Sequence, residues 1–480
     1  MLQSAARHDD LTASFERLQL RSRSEPFPEK RTRQDRLERT IALLAQHRNE
    51  ICDAISADYG TRSRTQSLIA EVFVTQQMLG FARRRVGRWM RPERRGTGFM
   101  GLPLSLLGAR ARVLHQPLGL VGVIGPWNFP VNLLLAPLAG IFAAGNVAML
   151  KPSEHTPETA ELMARLVAER FDPDELTVVT GGIEQARAFG RLPFDHLIYT
   201  GGECAARDVL HSAASNLTPV TLELGGKSPV VVSQGADLTM AARRTIGGKL
   251  LNNGQVCLAP DIVLIPREKL DSLILAMIAE AERMAPQPEI NPDVAAVLNA
   301  RHYDRMTELL DDARSRGARI VSAAKVPEST TSRRLPITLV VDPPDDSRIM
   351  REEIFGPLVA VKPYDRFEDA IASINARPRP LALYYFGRRK AEIDRLRRET
   401  VSGSLVLNDV VMQYTAEDLP FGGVGQSGMG RYHGRDGFRN FSNARAEYRQ
   451  AFPDLGAIVR PPFTSVKARL FDLLTSRGYA

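Results

Sequence analysis

Cysteine is scarce: Cys52, Cys204 and Cys257 are the only three in 480 residues. An odd, scattered set with no CxxC pair and no adjacent paired histidines argues against a disulfide scaffold and against a structural metal, and suits a reducing compartment. Aromatic residues make up only 6%. No zinc finger, aromatic platform or RNA-binding signature accompanies the basic residues, so no nucleic acid is expected as a partner. The first ten residues lack the apolar stretch of a secretory signal and carry Asp9 and Asp10, so the expected location is the cytoplasm. Charge is missing altogether between Arg112 and Lys151, where 131–150 is almost apolar enough to span a membrane. Pro130, Pro137, Gly140 and Gly145 interrupt that run, and Asn132 and Asn146 would put amides into hydrocarbon, so no membrane span is expected. It divides instead into strand 118–124, helix 131–144 and strand 146–151, a fully buried βαβ unit.

What is present is average globular usage, 44% hydrophobic and 25% charged, over a length that suggests two or three domains. The net charge of +8 is regional, since residues 1–112 hold 21 Lys+Arg against 12 Asp+Glu and the remainder holds 42 against 43. The densest basic part runs from Arg83 to Arg95, a pattern that solvated faces and subunit contacts commonly produce.

Apolar spacing predicts one amphipathic helix over 31–59 with Gly60 as its stop, and a second over 67–90. Helix 156–170, strands 175–179 and 196–199, helix 203–214 and strand 220–224 then alternate, as in a parallel sheet covered on both faces. A second α/β set starts near Gly225, with strand 229–233, helix 237–251, strand 261–265, helices 267–284 and 301–316, and strands 337–341 and 358–361. The join at 224–226 is short, so a ligand cleft is expected between the two sets. The Gly-rich stretch 402–430 suits an extending arm.

Several residues have chemistry to offer. Cys257 follows Asn253-Gly254-Gln255-Val256 on a turn that can aim a side chain into a cleft, and an attacking sulfur must be a thiolate, which calls for nearby amides or cations. Cys52 and Cys204 lack that setting. Glu223 ends an apolar strand, where a carboxylate is either paired, with Lys227 as the nearest candidate, or poised as a general base. Asn128, in Pro126-Trp127-Asn128-Phe129-Pro130 after the first βαβ strand, either caps a turn or donates to an oxyanion. Lys151 and Glu154 can bracket a ribose, and Gly201-Gly202 lead into a helix whose N-terminus suits a diphosphate or simply form a turn.

Taken together these residues resemble the aldehyde dehydrogenase superfamily. The resemblance rests on Pro126 to Pro130, Glu223-Leu224-Gly225-Gly226-Lys227-Ser228-Pro229, Gly254 to Cys257, Glu352-Glu353-Ile354-Phe355-Gly356-Pro357 and Pro420-Phe421-Gly422-Gly423-Val424-Gly425, all in family order. The stretches 380–384 and 426–434 look like the class 3 branch, and within it the chain is most similar to bacterial coniferyl aldehyde dehydrogenases over about 31–449. The resemblance implies an α/β protein with a Rossmann-type NAD(P) domain (1–94 and 117–223), a catalytic α/β domain (224–400), a small β oligomerisation arm (95–116 and 401–430) and a C-terminal segment (431–480). It implies Cys257 as nucleophile, Asn128 with the Cys257 amide as oxyanion donors, and Glu223 as the base that activates water. It also implies Lys151, Glu154, Gly201, Gly202, Glu353 and Phe355 as cofactor contacts, with no metal.

The implied activity is oxidation of an aldehyde to a carboxylic acid through a cysteine thiohemiacetal and thioester. NAD is the expected cofactor, because Glu154 would accept from a ribose hydroxyl and repel a 2′-phosphate, with NADP as the alternative. The substrate is coniferyl aldehyde or a related aromatic aldehyde, or else a medium- or long-chain aliphatic one, and the implied assembly is a homodimer. Two departures from the family pattern stand out. The cofactor turn reads Gly201-Gly202-Glu203-Cys204-Ala205-Ala206, with Ala206 in place of the last glycine and an acid at Glu203, and Val256 replaces a threonine. If the altered turn abolished cofactor binding, the chain would be a non-catalytic scaffold; acyl transfer to CoA is a further enzymatic alternative, against which the presence of Glu223 counts.

Overall fold

The computed structural model describes residues 2–99, 102–325 and 332–476. The expected arm segment 95–116 and C-terminal segment 431–480 therefore include residues, 100–101 and 477–480, that lie outside the described part.

Buried β-branched and leucine-rich runs make the two main sheets. Leu120–Ile124, Val147–Lys151 and Ala382–Phe386 are buried at every position, as strands covered on both faces must be. The first sheet has six strands in the order Gly428–Met429, Val220–Leu224, His196–Gly201, Leu120–Ile124, Val147–Lys151, Leu176–Val178, parallel except for the first. The second has seven, in the order Arg319–Ser322, Thr338–Val341, Leu358–Tyr364, Ile262–Pro266, Pro229–Val232, Ala382–Phe386, Ser404–Leu407. Within the first sheet the chain leaves Leu120–Ile124 toward one neighbour and later returns to pair on its other side. Such a reversal opens a crevice at the carboxyl ends of the two central strands, where loops can hold a ligand.

The chain divides into two compact units, residues 1–89 with 117–442, and residues 90–116 with 443–480. Both main sheets belong to the first unit, and the sequence passes from one sheet to the other at 224–229. The second unit contains a three-stranded sheet in the order Glu93–Arg95, Arg110–Pro117, Ser442–Arg449. The stretch 401–430, expected in the arm, does not join that sheet. Ser404–Leu407 is the edge strand of the seven-stranded sheet, paired with Ala382–Phe386, and Gly428–Met429 pairs with Val220–Leu224. The glycines read as arm-like are there for close approach: a Cβ on Gly428 would lie 2.0 Å from the Leu222 carbonyl oxygen.

Two predicted helices are broken. The helix over 31–59 is two, Lys30–Gln46 and Arg48–Tyr59, because His47 leaves helical geometry (φ −105°, ψ 17°) and its ring pairs with Glu50 at 2.7 Å. The helix over 131–144 is Asn132–Leu135 and Leu138–Ala144, divided at Pro137, which has no N–H to continue the ladder.

Candidate active site

The backbone ahead of Cys257 is unusual. Asn252, Asn253 and Gly254 occupy the left-handed region in succession (φ 46°, 50° and 77°). Asparagine tolerates that conformation better than most residues, and glycine is required at 254, where a Cβ would lie 2.1 Å from the Gly356 carbonyl oxygen. The buried Asn252 side chain donates to the carbonyls of Asn128 (3.0 Å) and Gln255 (3.3 Å), so this loop is tied to the one after Leu120–Ile124. Asn128 Nδ2 closes the link by donating to Gln255 O at 3.1 Å.

A cleft of about 1120 Å³ runs past these loops. Asn128, Glu154, Gly201, Gly202, Glu223, Cys257, Glu353 and Phe355 all line it. Eight of the nine expected site residues, spread over 228 positions from Asn128 to Phe355, thus meet in one cavity. Lys151 is the exception. Its buried ammonium donates to Pro152 O at 2.7 Å, and burial lowers its pKa while Glu154 opposes that shift.

Glu223 does not pair with Lys227, whose ammonium instead contacts Asp261 (3.1 Å) and Glu352 O (2.7 Å). Both carboxylate oxygens of Glu223 are buried without a hydrogen-bond partner among the described residues. Burial therefore pushes its pKa well above the ordinary carboxylate range, with Arg431 pulling the other way. Arg431 is oriented by the carbonyls of Gly423 and Gly430 at 2.5 and 2.6 Å.

Cys257 is half-buried. Burial, then the charges of Glu353 and Glu223, push its thiol up to about 12, although its own N–H and that of Leu258 favour the thiolate. The turn supplies the expected amides, but among the described residues no cation is close enough to outweigh desolvation, so the sulfur is held as a thiol. Were this sulfur to attack, a base would have to take its proton, and Glu223 lines the same cavity.

Glu353 reaches the junction between the two sheets. Its Oε1 accepts from Gly226 N at 3.1 Å, and Gly225 makes room, since a Cβ there would lie 2.0 Å from Glu353 Oε2. Burial and the neighbouring Asp261 raise its pKa to about 7, against the Gly226 amide, Lys227 and Arg305. Its neighbour Glu352 instead pairs with Arg348 at 2.7 Å. Phe355 is held at φ 51° and meets Trp127 edge-on at 5.3 Å.

The altered cofactor turn is accommodated. Ala206 is buried in the cluster around Tyr199, Leu222 and Leu224 and does not line the cleft, so the methyl replaces glycine in packing rather than at a ligand. Helix Glu203–Ala214 has no side-chain cap, which leaves its first amides to the cleft, and Glu203 pairs with Arg207. A Cβ on Gly202 would meet nothing within 4 Å, so there is open space at this turn. A cavity of this size with uncapped helix amides and a glycine turn fits a dinucleotide. Val256 is buried, so the lost threonine hydroxyl leaves no gap at the surface of the cleft.

Three groups are given no role by the sequence, although some of their members stand in the motifs that carry the resemblance. The charge of Arg431 acts on Glu223, the His302 ring lies tilted against Trp127 at 4.9 Å, and half-buried Tyr414 packs with buried Phe421, Tyr432 and His433 in an aromatic cluster. Burial alone lowers the His433 pKa to about 3, so its ring is neutral. None of these carries a spacing signal, because each is delivered by a loop or helix end from a distant part of the chain.

The model of the aldehyde dehydrogenase family matches residues 27–446. The chain is 47% identical over 432 residues to a probable coniferyl aldehyde dehydrogenase of Caulobacter vibrioides (89% of each chain), and 48% identical over 416 residues to a coniferyl aldehyde dehydrogenase of a Pseudomonas species (86% of this chain, 85% of that one). Among solved structures it is similar to substrate-bound Staphylococcus aureus AldH, with a TM-score of 0.89, 33% identity, and coverage of 97% of this chain and 99% of that one. It is also similar to a Mycobacterium tuberculosis aldehyde dehydrogenase complexed with NAD+, with a TM-score of 0.82, 26% identity, and coverage of 93% and 92%.

Proposed function

The chain belongs to the aldehyde dehydrogenase family, and we propose that it oxidises coniferyl aldehyde or a close aromatic relative to the acid through a thioester on Cys257. It is an NAD(P)-dependent enzyme, and NAD is the proposed preference because the exposed Glu154 carboxylate lines the cleft where a 2′-phosphate would be repelled. The observation that carries the reading is the convergence of Cys257, Asn128 and Glu223 on one cavity.

In this mechanism Gly201, Gly202 and the amides of helix Glu203–Ala214 would hold the diphosphate, while Glu353 and Phe355 would hold the nicotinamide riboside. When bound, the oxidised nicotinamide supplies the acceptor for the hydride lost by the aldehyde carbon. Glu223 removes the Cys257 proton as Sγ forms a bond to the carbonyl carbon. Asn128 Nδ2 and the Cys257 N–H donate to the oxygen that becomes negative. Once the resulting thiohemiacetal is oxidised to a thioester and Glu223 has released that first proton to solvent, Glu223 takes a proton from water, whose oxygen attacks the thioester carbon. The carbon–sulfur bond breaks, the acid leaves, and Cys257 regains a proton.

The placement of Ala206 away from the cleft favours a catalyst over a scaffold. A homodimer is supported by the three-stranded sheet and by Phe452 (90% exposed) in the smaller unit, and a cytoplasmic location by a nucleophile that must stay reduced. No helix among the described residues is long and apolar enough to cross a membrane. Absorbance at the reduced-nicotinamide band, followed with coniferyl aldehyde and with aliphatic aldehydes, tests the proposal. Faster turnover of coniferyl aldehyde supports it, and higher kcat/KM with aliphatic aldehydes assigns the other substrate class.

A further inference from the structure

We propose that the buried Arg62–Glu71 pair positions Asn128 for the oxyanion, which makes Arg62 a positioning residue of the reaction. The inference rests on the role given above to Asn128. Arg62 follows helix Arg48–Tyr59, and Glu71 is in the π-helical turn Leu68–Phe73. Such turns disturb the helical ladder and are frequent at functional sites. Both side chains are fully buried, with Nη2 and Oε1 2.9 Å apart but out of line for a directed hydrogen bond, so the contact is held by charge.

The two ends of this pair are attached to the same loop. Arg62 Nη1 donates to Asn128 O at 2.9 Å. Glu71 Oε2 accepts from Val131 N at 3.1 Å and from Asn132 N at 2.8 Å. The guanidinium is also 5.0 Å from the ring centres of both Tyr59 and Phe129, which restricts its plane. The loop is thus gripped at the Asn128 carbonyl and again three and four residues later. One N–H of the Asn128 side chain is used on Gln255 O, leaving the other for the cleft, so the direction of that second N–H follows the backbone that Arg62 and Glu71 hold. A core pair with only a structural task could be anchored to any backbone; this one is anchored to the loop that carries the donor.

A mutant cycle tests the proposal. Arg62→Lys keeps the charge and loses the planar fork. It is expected to lower kcat by about tenfold or more, because small misplacements of a donor are costly, with KM for aldehyde and Kd for NAD changed less than about threefold. Asn128→Ala is expected to lower kcat by roughly 10²–10³. In the double variant kcat should equal that of Asn128→Ala within about threefold, because Arg62 acts through a group no longer there. Losses that multiply, or wild-type kcat in Arg62→Lys, overturn the proposal. If Arg62→Lys does not fold, Glu71→Gln, which keeps an acceptor for Val131 and Asn132, is read in the same cycle. Wild-type kcat in Asn128→Ala strikes at the parent reading, an outcome distinct from multiplicative losses, and removes this proposal with it.

Discussion

The side-chain amide of Asn128 donates to the carbonyl of Gln255 at 3.1 Å, so the loop after the first strand of one sheet is fastened two residues ahead of Cys257, on the way into the other. That hydrogen bond converts a separation of 129 positions into a shared cavity wall, and the chemistry proposed for the cleft depends on it. Replacing Asn128 by Asp puts a third acid near Cys257 and Glu223. The expected result is a fall in kcat of at least about 10², measured by steady-state absorbance, with KM for aldehyde altered far less.

Thiol reactivity is expected to separate the cysteines. Cys204 is exposed, Cys257 is half-buried with its thiol pushed up to about 12, and Cys52 is buried. In the cofactor-free protein at pH 7.5, iodoacetamide should label Cys204 first, with Cys257 slower by roughly tenfold or more and accelerating as pH rises. Peptide mass spectrometry over time checks the order; Cys257 labelling first at neutral pH would contradict the electrostatics described here. Cys257→Ser should lose more than about 10³ in kcat.

Glu223 is an acid whose folded pKa is raised, so its ionised, base-competent form grows as pH increases through that raised value. The rate should therefore climb as pH rises above the ordinary carboxylate range, and Glu223→Gln should lose that limb along with about 10²-fold or more in kcat. The linkage to stability has the opposite sense. A raised carboxyl pKa contributes stability that is complete below the ordinary carboxylate range and is lost as pH rises through the folded value. Glu223→Gln should consequently raise the thermal midpoint relative to wild type at pH 9 more than at pH 5, as read by calorimetry.

Gly225→Ala introduces a Cβ 2.0 Å from the Glu353 carboxylate, which must move. Since Glu353 is proposed to hold the nicotinamide riboside, Kd for NAD measured by calorimetric titration should rise about tenfold, an increment equal to roughly 1.4 kcal/mol. Gly202→Ala, where a Cβ meets nothing, should leave stability unchanged within about 0.5 kcal/mol and serves as the comparison.

Much of the fold was legible because its strands are short buried runs at even spacing. Leu120–Ile124 and Val220–Leu224 carry their burial in their composition, and the parallel sheets followed from their alternation with helices. The helix break at Pro137 was legible in its proline, but the one at His47 was not. His47 has no intrinsic bias against helix, and only its contact with Glu50 and the packing of the two halves show where the chain turns. In the stretch 401–430 glycine reads as flexibility in sequence, whereas Gly422 and Gly428 allow the Glu223 carboxylate and the Leu222 carbonyl to approach to within 2.8 Å of where a Cβ would sit.

By itself the sequence determined the chemistry: one cysteine on a glycine turn, a glutamate closing an apolar strand, and an asparagine after the first βαβ strand, in an order that resembles one family. Only the tertiary structure decided how those groups behave. It left Glu223 without the Lys227 partner that local sequence offered, assigned that lysine to Asp261, turned Ala206 into the core, and surrounded Cys257 with acids and low-dielectric protein instead of cations. Residue type sets which proton a group can carry. Its pKa and direction depend on desolvation and on charges brought from distant positions, and those exist only once the chain has folded.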